Sequence, residues 1–376
     1  MPFERKHDRT EGPSKLTQLL GRYREPNVSR SLFELLVTAV PFAALWALMW
    51  AALSVGYWLS LLLALPAACS LMRLFMIQHD CGHGACFKRR SSNDWVGRII
   101  GVVTLTPYSF WRRAHAAHHA NAGNLDHRGM GDIITLTRNE YRTMSLSGRL
   151  AYRLYRNPLV MFGLIPTYLF VLHYRLPFGA MRSGIQPWLS TMGTNVAIAG
   201  AAGLMIWLVG LGPFLLVQGP IVVASGTIAV WFFYVQHQFE ETLWAHDGDW
   251  SFHEAALHGS SHYELPPAIA WFTGNIGVHH VHHLSSRIPF YRLPQVLRDY
   301  PQLASVGRIT FLRSLKCAAL ALWDEDQHRL ISFRELRVDR SARRQFSARP
   351  ISGEATVGRQ RELRLAETHE AVRPNR

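Results

Sequence analysis

The chain has 376 residues, 48% of them hydrophobic, and 40 Lys and Arg against 26 Asp and Glu, for a net charge of +14. That apolar share excludes a disordered chain, and no repeat of 20 to 50 residues marks a solenoid. The charge is segregated: no Lys or Arg falls between Arg30 and Arg73 or between Arg182 and Arg287, which excludes an ordinary soluble globule and turns the basic balance toward a membrane surface rather than nucleic acid.

In chain order, residues 1–30 are polar and are expected to be a cytosolic segment without a cleavable signal peptide. The apolar block from Ser31 to Met72 is long enough for two bilayer crossings of about 20 residues each, with a turn near Ser54 to Tyr57. A second block, Trp188 to Gln236, again accommodates two, broken at Gly210, Gly212 and Pro213. The expected spans are 32–53, 57–77, 188–210 and 213–236, forming two helical hairpins within a membrane domain of residues 31–333. Neither hairpin tip carries Lys or Arg, whereas Arg22, Arg24, Arg30, Arg73, Lys88, Arg182 and Arg287 lie at the other side, so both termini are expected in the cytoplasm. The run 157–173 has arginines on both flanks and reads as interfacial or re-entrant, as does Val96 to Pro107. Residues 334–376 are Arg-rich and polar, which predicts a disordered or headgroup-bound tail. Cys69, Cys81, Cys86 and Cys317 form no disulfide framework and read as reduced thiols.

Of the 19 histidines, eight stand in three clusters: His79 and His83 in HDCGH, His115, His118 and His119 in HAAHH, and His279, His282 and His283 in HHVHH. Residues i, i+3 and i+4 share a helix face, so each cluster is expected to aim its imidazoles at one point, which is metal-ligand spacing three times over. Eight ligands exceed the need of one metal, so two metals in one site are expected. Imidazole suits Fe, Zn, Cu or Ni. No box has the Glu of a zincin protease, and the apolar blocks carry no E-x-x-H pairs such as a carboxylate di-iron site needs on its bundle helices. Asp80, Asp126 and Asp132 could orient ligand imidazoles or be ion-paired surface groups. His246, His253, His258 and His262 lack box spacing and read as loop residues.

The order H-x-x-x-H, H-x-x-H-H, H-x-x-H-H, each beside an apolar block, resembles the integral-membrane fatty acid desaturases. HDCGHGACF, WRRAHAAHH and NIGVHHVHHLSSRIPFYRLP are similar to bacterial relatives of the delta-12 and omega-6 acyl-lipid branch, over residues 30–330. The resemblance implies an all-α integral membrane fold, four transmembrane helices under a cytosolic helical cap, and two Fe ions with O2 as co-substrate. It also implies a ninth ligand, for which His237 is the matching position. Where some members carry an Asn one turn earlier, this chain has Phe233. His280 points away from the ligand face. The implied reaction is desaturation of a fatty acyl chain that is lipid-linked, CoA-linked or carrier-linked. No H-P-G-G, C-x-x-C or G-x-G-x-x-G motif occurs, so electrons are expected from a ferredoxin or a cytochrome. Membrane lipid is the expected surroundings, with no nucleic acid, in a bacterial inner membrane. A hydroxylase, ketolase or epoxygenase on the same scaffold is the alternative. A metal transporter is a remote one, because the spans hold no histidine before their ends.

Overall fold

A computed structural model describes residues 15–129 and 131–338. The expectations for residues 1–14 and 339–376 lie outside the described residues. The described residues fall into two units, divided after Ile331. Within the second, residues 333–338 are helical, and the Ser332 hydroxyl accepts from the Glu335 N–H while the Glu335 carboxylate accepts from the Ser332 N–H. This reciprocal cap is an ordinary helix start, and it corrects the expectation of disorder for 334–338.

Among the described residues, four helices are long and apolar enough to cross a membrane: α1 (Val28–Ala52), α2 (Tyr57–His83), α7 (Ile185–Val209) and α8 (Leu211–His237). They are joined by short turns into the two hairpins, and the protein is a multi-pass membrane protein. Between the hairpins come α3 (Arg90–Val103), α4 (Tyr108–Asn121), α5 (Leu146–Tyr155) and α6 (Ile165–Val171). Together with α6, α5 makes an apolar pair bent by 57°, with a π turn at Val160–Leu164 between them. After the second hairpin, α9 (His279–Leu284) carries the third box.

Helix α2 is the most enclosed of the four and packs against α1, α8 and α3. It outruns its apolar segment because its final turns are buried beneath the cap. It stops at Gly84, whose φ of +69° only glycine adopts cheaply. The Ala85 N–H donates to the Asp80 carbonyl at 2.8 Å and the Gly84 N–H to the Cys81 carbonyl at 3.0 Å. That is the Schellman pattern, and it leaves His83 on the last helical residue. Arg73, a cation inside α2, is buried and donates to Glu34 and to Thr38 Oγ1 (3.1 Å) on α1 and to the Trp271 carbonyl. A charge in a span is tolerated when it is paired this way.

Two small sheets qualify the all-helical expectation. β1 (Leu136–Thr137) pairs in parallel with β4 (Leu320–Asp324), which neighbours β5 (Arg329–Ser332). β2 (His262–Glu264) pairs in parallel with β3 (Arg308–Thr310) and bridges Val278. Each sheet pins a segment that leads to the histidines. β1 follows Asp132 in the chain, and Val278 directly precedes α9.

Candidate metal centre

Four elements bring nine histidines together: α2 supplies His79 and His83, α4 supplies His115, His118 and His119, the last residue of α8 is His237, and α9 supplies His279, His282 and His283. They form two groups. His79, His83, His115, His119 and His282 make one, and His118, His237, His279 and His283 the other, with ligand atoms within each group no more than 4.8 Å apart.

The boxes are therefore split, which corrects the expectation that H-x-x-H-H aims at a single point. At about 100° per residue, i+4 lies about 40° to one side of i and i+3 about 60° to the other. The i, i+4 pairs His79/His83, His115/His119 and His279/His283 stay together, while His118 and His282 turn to the opposite group.

Within the five-histidine group, Nε2 atoms stand 3.0 Å apart for His115–His83, 3.1 Å for His119–His115 and 3.1 Å for His282–His119. In the four-histidine group the values are 3.1 Å for His118–His237, 3.0 Å for His279–His237 and 3.1 Å for His283–His279. Donors on adjacent corners of an octahedron with bonds of about 2.1 Å stand about 3.0 Å apart, against about 3.4 Å on a tetrahedron.

The tautomers sharpen this. His237 Nδ1–H donates to the Gly259 carbonyl at 3.0 Å, and His118 Nδ1–H donates to the Asp132 carboxylate. With both rings neutral, the form that ligates, the Nε2 atoms are bare lone pairs facing each other across 3.1 Å. Two such lone pairs repel unless a cation lies between them, so the donor set fits a metal in each group. Burial, and secondarily the neighbouring imidazoles, hold His115, His119, His279, His282 and His283 well below the ordinary histidine pKa. They are neutral at pH 7, the form that ligates.

Asp80 approaches His79 Nδ1 at 3.3 Å and accepts the Phe290 N–H at 2.7 Å, so it orients the His79 ring and ties α2 to the segment after α9. Asp126 instead accepts from exposed His246 at 2.8 Å, a surface pair away from both groups. His280 is buried, and its Nε2–H donates to the Leu303 carbonyl at 3.0 Å. Cys81 and Cys86 are buried and stand in neither group. Two aromatic residues pack on the histidines, of which Trp111 carried no sequence signal of its own. The Trp111 ring stacks on His115 at 4.7 Å and 13°, and Phe233 leans on His118 at 5.0 Å and His237 at 5.5 Å.

Residues 56–311 match the fatty acid desaturase family model. The chain is 45% identical over 323 residues to a fatty acid desaturase of Bacillus subtilis (strain 168), covering 86% of this chain and 91% of that protein. The chain belongs to the fatty acid desaturase family. This desaturase introduces double bonds into fatty acyl chains. It is also 27% identical over 281 residues to an sn-1 acyl-lipid omega-3 desaturase (ferredoxin) of Nostoc sp. (strain 36), covering 72% of this chain and 74% of that one. Identity is again 27%, over 266 residues, to an acyl-lipid omega-3 desaturase (cytochrome b5) of the endoplasmic reticulum of Arabidopsis thaliana, covering 66% and 62%.

A cleft reaches the desaturase's histidines, and a second lies beside Phe75 with no histidine in its lining. One, of ≈ 260 Å³, is bounded by Asp132, Phe233, Gln238 and Trp244 and opens onto His118 and His237. The other, of ≈ 330 Å³, is largely apolar, lined by Leu71, Phe75, Val103, Phe170 and Val222. It ends at Phe75, whose ring meets Trp111 edge-on at 5.3 Å.

Proposed function

We propose that the nine histidines bind two irons, five around one and four around the other, and that the enzyme desaturates a lipid-linked acyl chain with O2 and electrons from an external ferredoxin or cytochrome. The facing lone pairs of His118 and His237 support this reading most. The N–N spacing of 3.0 to 3.1 Å adds to it, being shorter than the about 3.4 Å that a closed tetrahedral zinc site would call for. When bound, the irons and O2 supply the oxidising power that removes two hydrogens from adjacent methylenes. The chain's own residues place the substrate and keep water out. Trp111 and Phe75 wall the approach from the apolar cleft with hydrocarbon, and Phe233 covers the rings of His118 and His237. Asp80, Asp132 and the Gly259 carbonyl hold imidazole protons on Nδ1 so that Nε2 is free to ligate.

The acyl-lipid substrate is proposed from the names of the Nostoc and Arabidopsis relatives, and so is a one-electron carrier as donor. The Lys/Arg asymmetry supports both termini in the cytoplasm of a bacterial inner membrane.

Two measurements test the reading. Protein purified from membranes is expected to hold two irons per chain, and one zinc without iron would overturn it. Expression in a host lacking polyunsaturated lipids, followed by gas chromatography and mass spectrometry with double-bond location, is expected to show a new unsaturated acyl chain. A hydroxylated product would overturn the desaturation of that substrate. Ala at any of His79, His83, His115, His118, His119, His279, His282 or His283 is expected to abolish turnover while the protein stays in the membrane.

A further inference from the structure

Arg156 caps the C-terminal end of α5 and is buried. Its Nη2 donates to the Tyr234 hydroxyl at 3.0 Å, to Gln238 Oε1 at 2.9 Å and to the Leu320 carbonyl at 2.7 Å, and its Nη1 reaches the Ile134 carbonyl at 3.3 Å. All four acceptors are neutral. Other buried arginines here meet carboxylates: Arg73 meets Glu34, and Arg138 meets Asp324 at 2.8 Å. Burying a guanidinium without a counter-charge is costly, and an apolar side chain would fill the same volume without that cost. What the guanidinium adds is geometry, since one rigid planar group ties four chain segments together.

Two of those segments carry the four-histidine group. Tyr234 and Gln238 bracket His237 on α8, three residues before it and one after. Ile134 is two residues past Asp132, whose carboxylate takes the Nδ1–H of His118. The Thr135 hydroxyl also donates to Gln238 Oε1 at 3.2 Å, and the Tyr155 hydroxyl accepts the Ile134 N–H at 3.1 Å, so the 132–135 segment and the end of α8 are bonded to each other through one hub. His118 and His237 are the pair whose Nε2 atoms face each other. None of the hub's bonds reaches a residue of the five-histidine group.

We propose that Arg156 is a positioning residue for one metal only: acting through Gln238 and the Asp132 segment, it fixes the separation of His118 and His237 and thereby holds the metal of the four-histidine group. The inference rests on the two-metal reading above. The experiment compares the intact protein with Arg156→Met, Arg156→Lys and, as a marker of the other group, His83→Ala. It measures membrane-inserted protein, iron per chain and the Mössbauer spectrum of iron-57-loaded samples. Arg156→Met is expected to accumulate in the membrane and to fall from two irons to one, keeping the spectral component that His83→Ala loses. Affinity at the four-histidine group is expected to drop about 10–100-fold, as for other groups that orient ligands. Arg156→Lys is expected to lie between, because a point-charge ammonium cannot span the four acceptors. Two irons retained in Arg156→Met, or both spectral components declining together, would overturn the proposal. If Arg156→Met does not accumulate, Gln238→Ala and Tyr234→Phe, each removing one acceptor, decide it. Selective weakening of the same component supports the proposal, and unchanged iron binding overturns it. Fewer than two irons in the intact protein would instead overturn the two-metal reading, and this inference with it.

Discussion

His237 at the end of α8 and His280 on α9 are both buried histidines, and their bonds separate their roles. His237 spends its Nδ1–H on a carbonyl and turns a bare Nε2 toward His118 and His279, while His280 spends its Nε2–H on Leu303 and turns away. His237→Ala is expected to lose one iron and nearly all turnover. His280→Ala is expected to keep both irons and to lower stability by roughly 0.5–1.5 kcal/mol, because one hydrogen bond is lost while the Val306 N–H still serves the Leu303 carbonyl. Metal analysis and thermal melting of the two variants check this, and the opposite ranking would reverse the ligand assignment. The same burial makes a pH prediction. The folded pKa values of His115, His119, His279, His282 and His283 lie well below the ordinary value, and that of His280 is pushed down to about 3. Above the unfolded pKa of about 6.5 both states are neutral and nothing is lost. Below it the unfolded chain binds protons that the folded chain refuses, so stability falls with pH. Iron-stripped protein in detergent is expected to melt lower at pH 5.5 than at 7.5, and a higher melting temperature in acid would contradict the burial argument.

At the scale of elements, the third box depends on how closely β2 can approach the start of α9. The Tyr263 N–H donates to the Gly277 carbonyl at 2.7 Å, and a Cβ added at Gly277 would lie 2.4 Å from the Tyr263 carbonyl oxygen. Backbone cannot give way as a side-chain tip does, so Gly277→Ala must push α9 away from β2. It is expected to cost about 1–3 kcal/mol and to lower iron occupancy. Melting and metal content measured together check it, and an unchanged pair of values would mean that α9 is held from elsewhere. The overrun of α2 works at the same scale. Its last turns carry His79, Asp80 and His83 out of the apolar segment to the Schellman stop at Gly84, so one continuous helix connects the bilayer to the five-histidine group.

For the whole molecule, the decisive expectation is sidedness. The hairpin turns lie at the N-terminal ends of α2 and α8, and the histidines at their C-terminal ends, some 27 residues away in each helix. At 1.5 Å per residue that is about 40 Å, enough to separate them across a bilayer. Cysteines placed at Gly56 and Gly212 are expected to react with an impermeant maleimide from outside the cell, and a cysteine at exposed Ala116 only after the membrane is opened. External labelling at Ala116 would put the metal centre on the wrong face.

Much of this was legible in the residues because local rules govern it. Span length, the Gly-Pro break at 210–213, the charge asymmetry and the i, i+4 histidine spacing each follow from one segment of chain and its solvent. The family resemblance, too, rests on the boxes alone, and it named His237 where spacing could not. What the tertiary structure decided is everything that depends on two segments meeting. His118 and His282 join the opposite group from their box neighbours because a helix spreads i+3 and i+4 by about 100° and a second helix waits on each side. Asp132 and Asp80 became partners of His118 and His79 while Asp126 went to the surface, although Asp126 adjoins a histidine in the sequence as Asp80 does and Asp132 adjoins none. The short strands escaped notice because two to five residues carry no readable alternation, and their pairing is set by contacts as distant as Leu136 with Leu322. Arg156 had no sequence signal at all. It reads as one more interfacial cation until folding delivers four acceptors to it from three other parts of the chain.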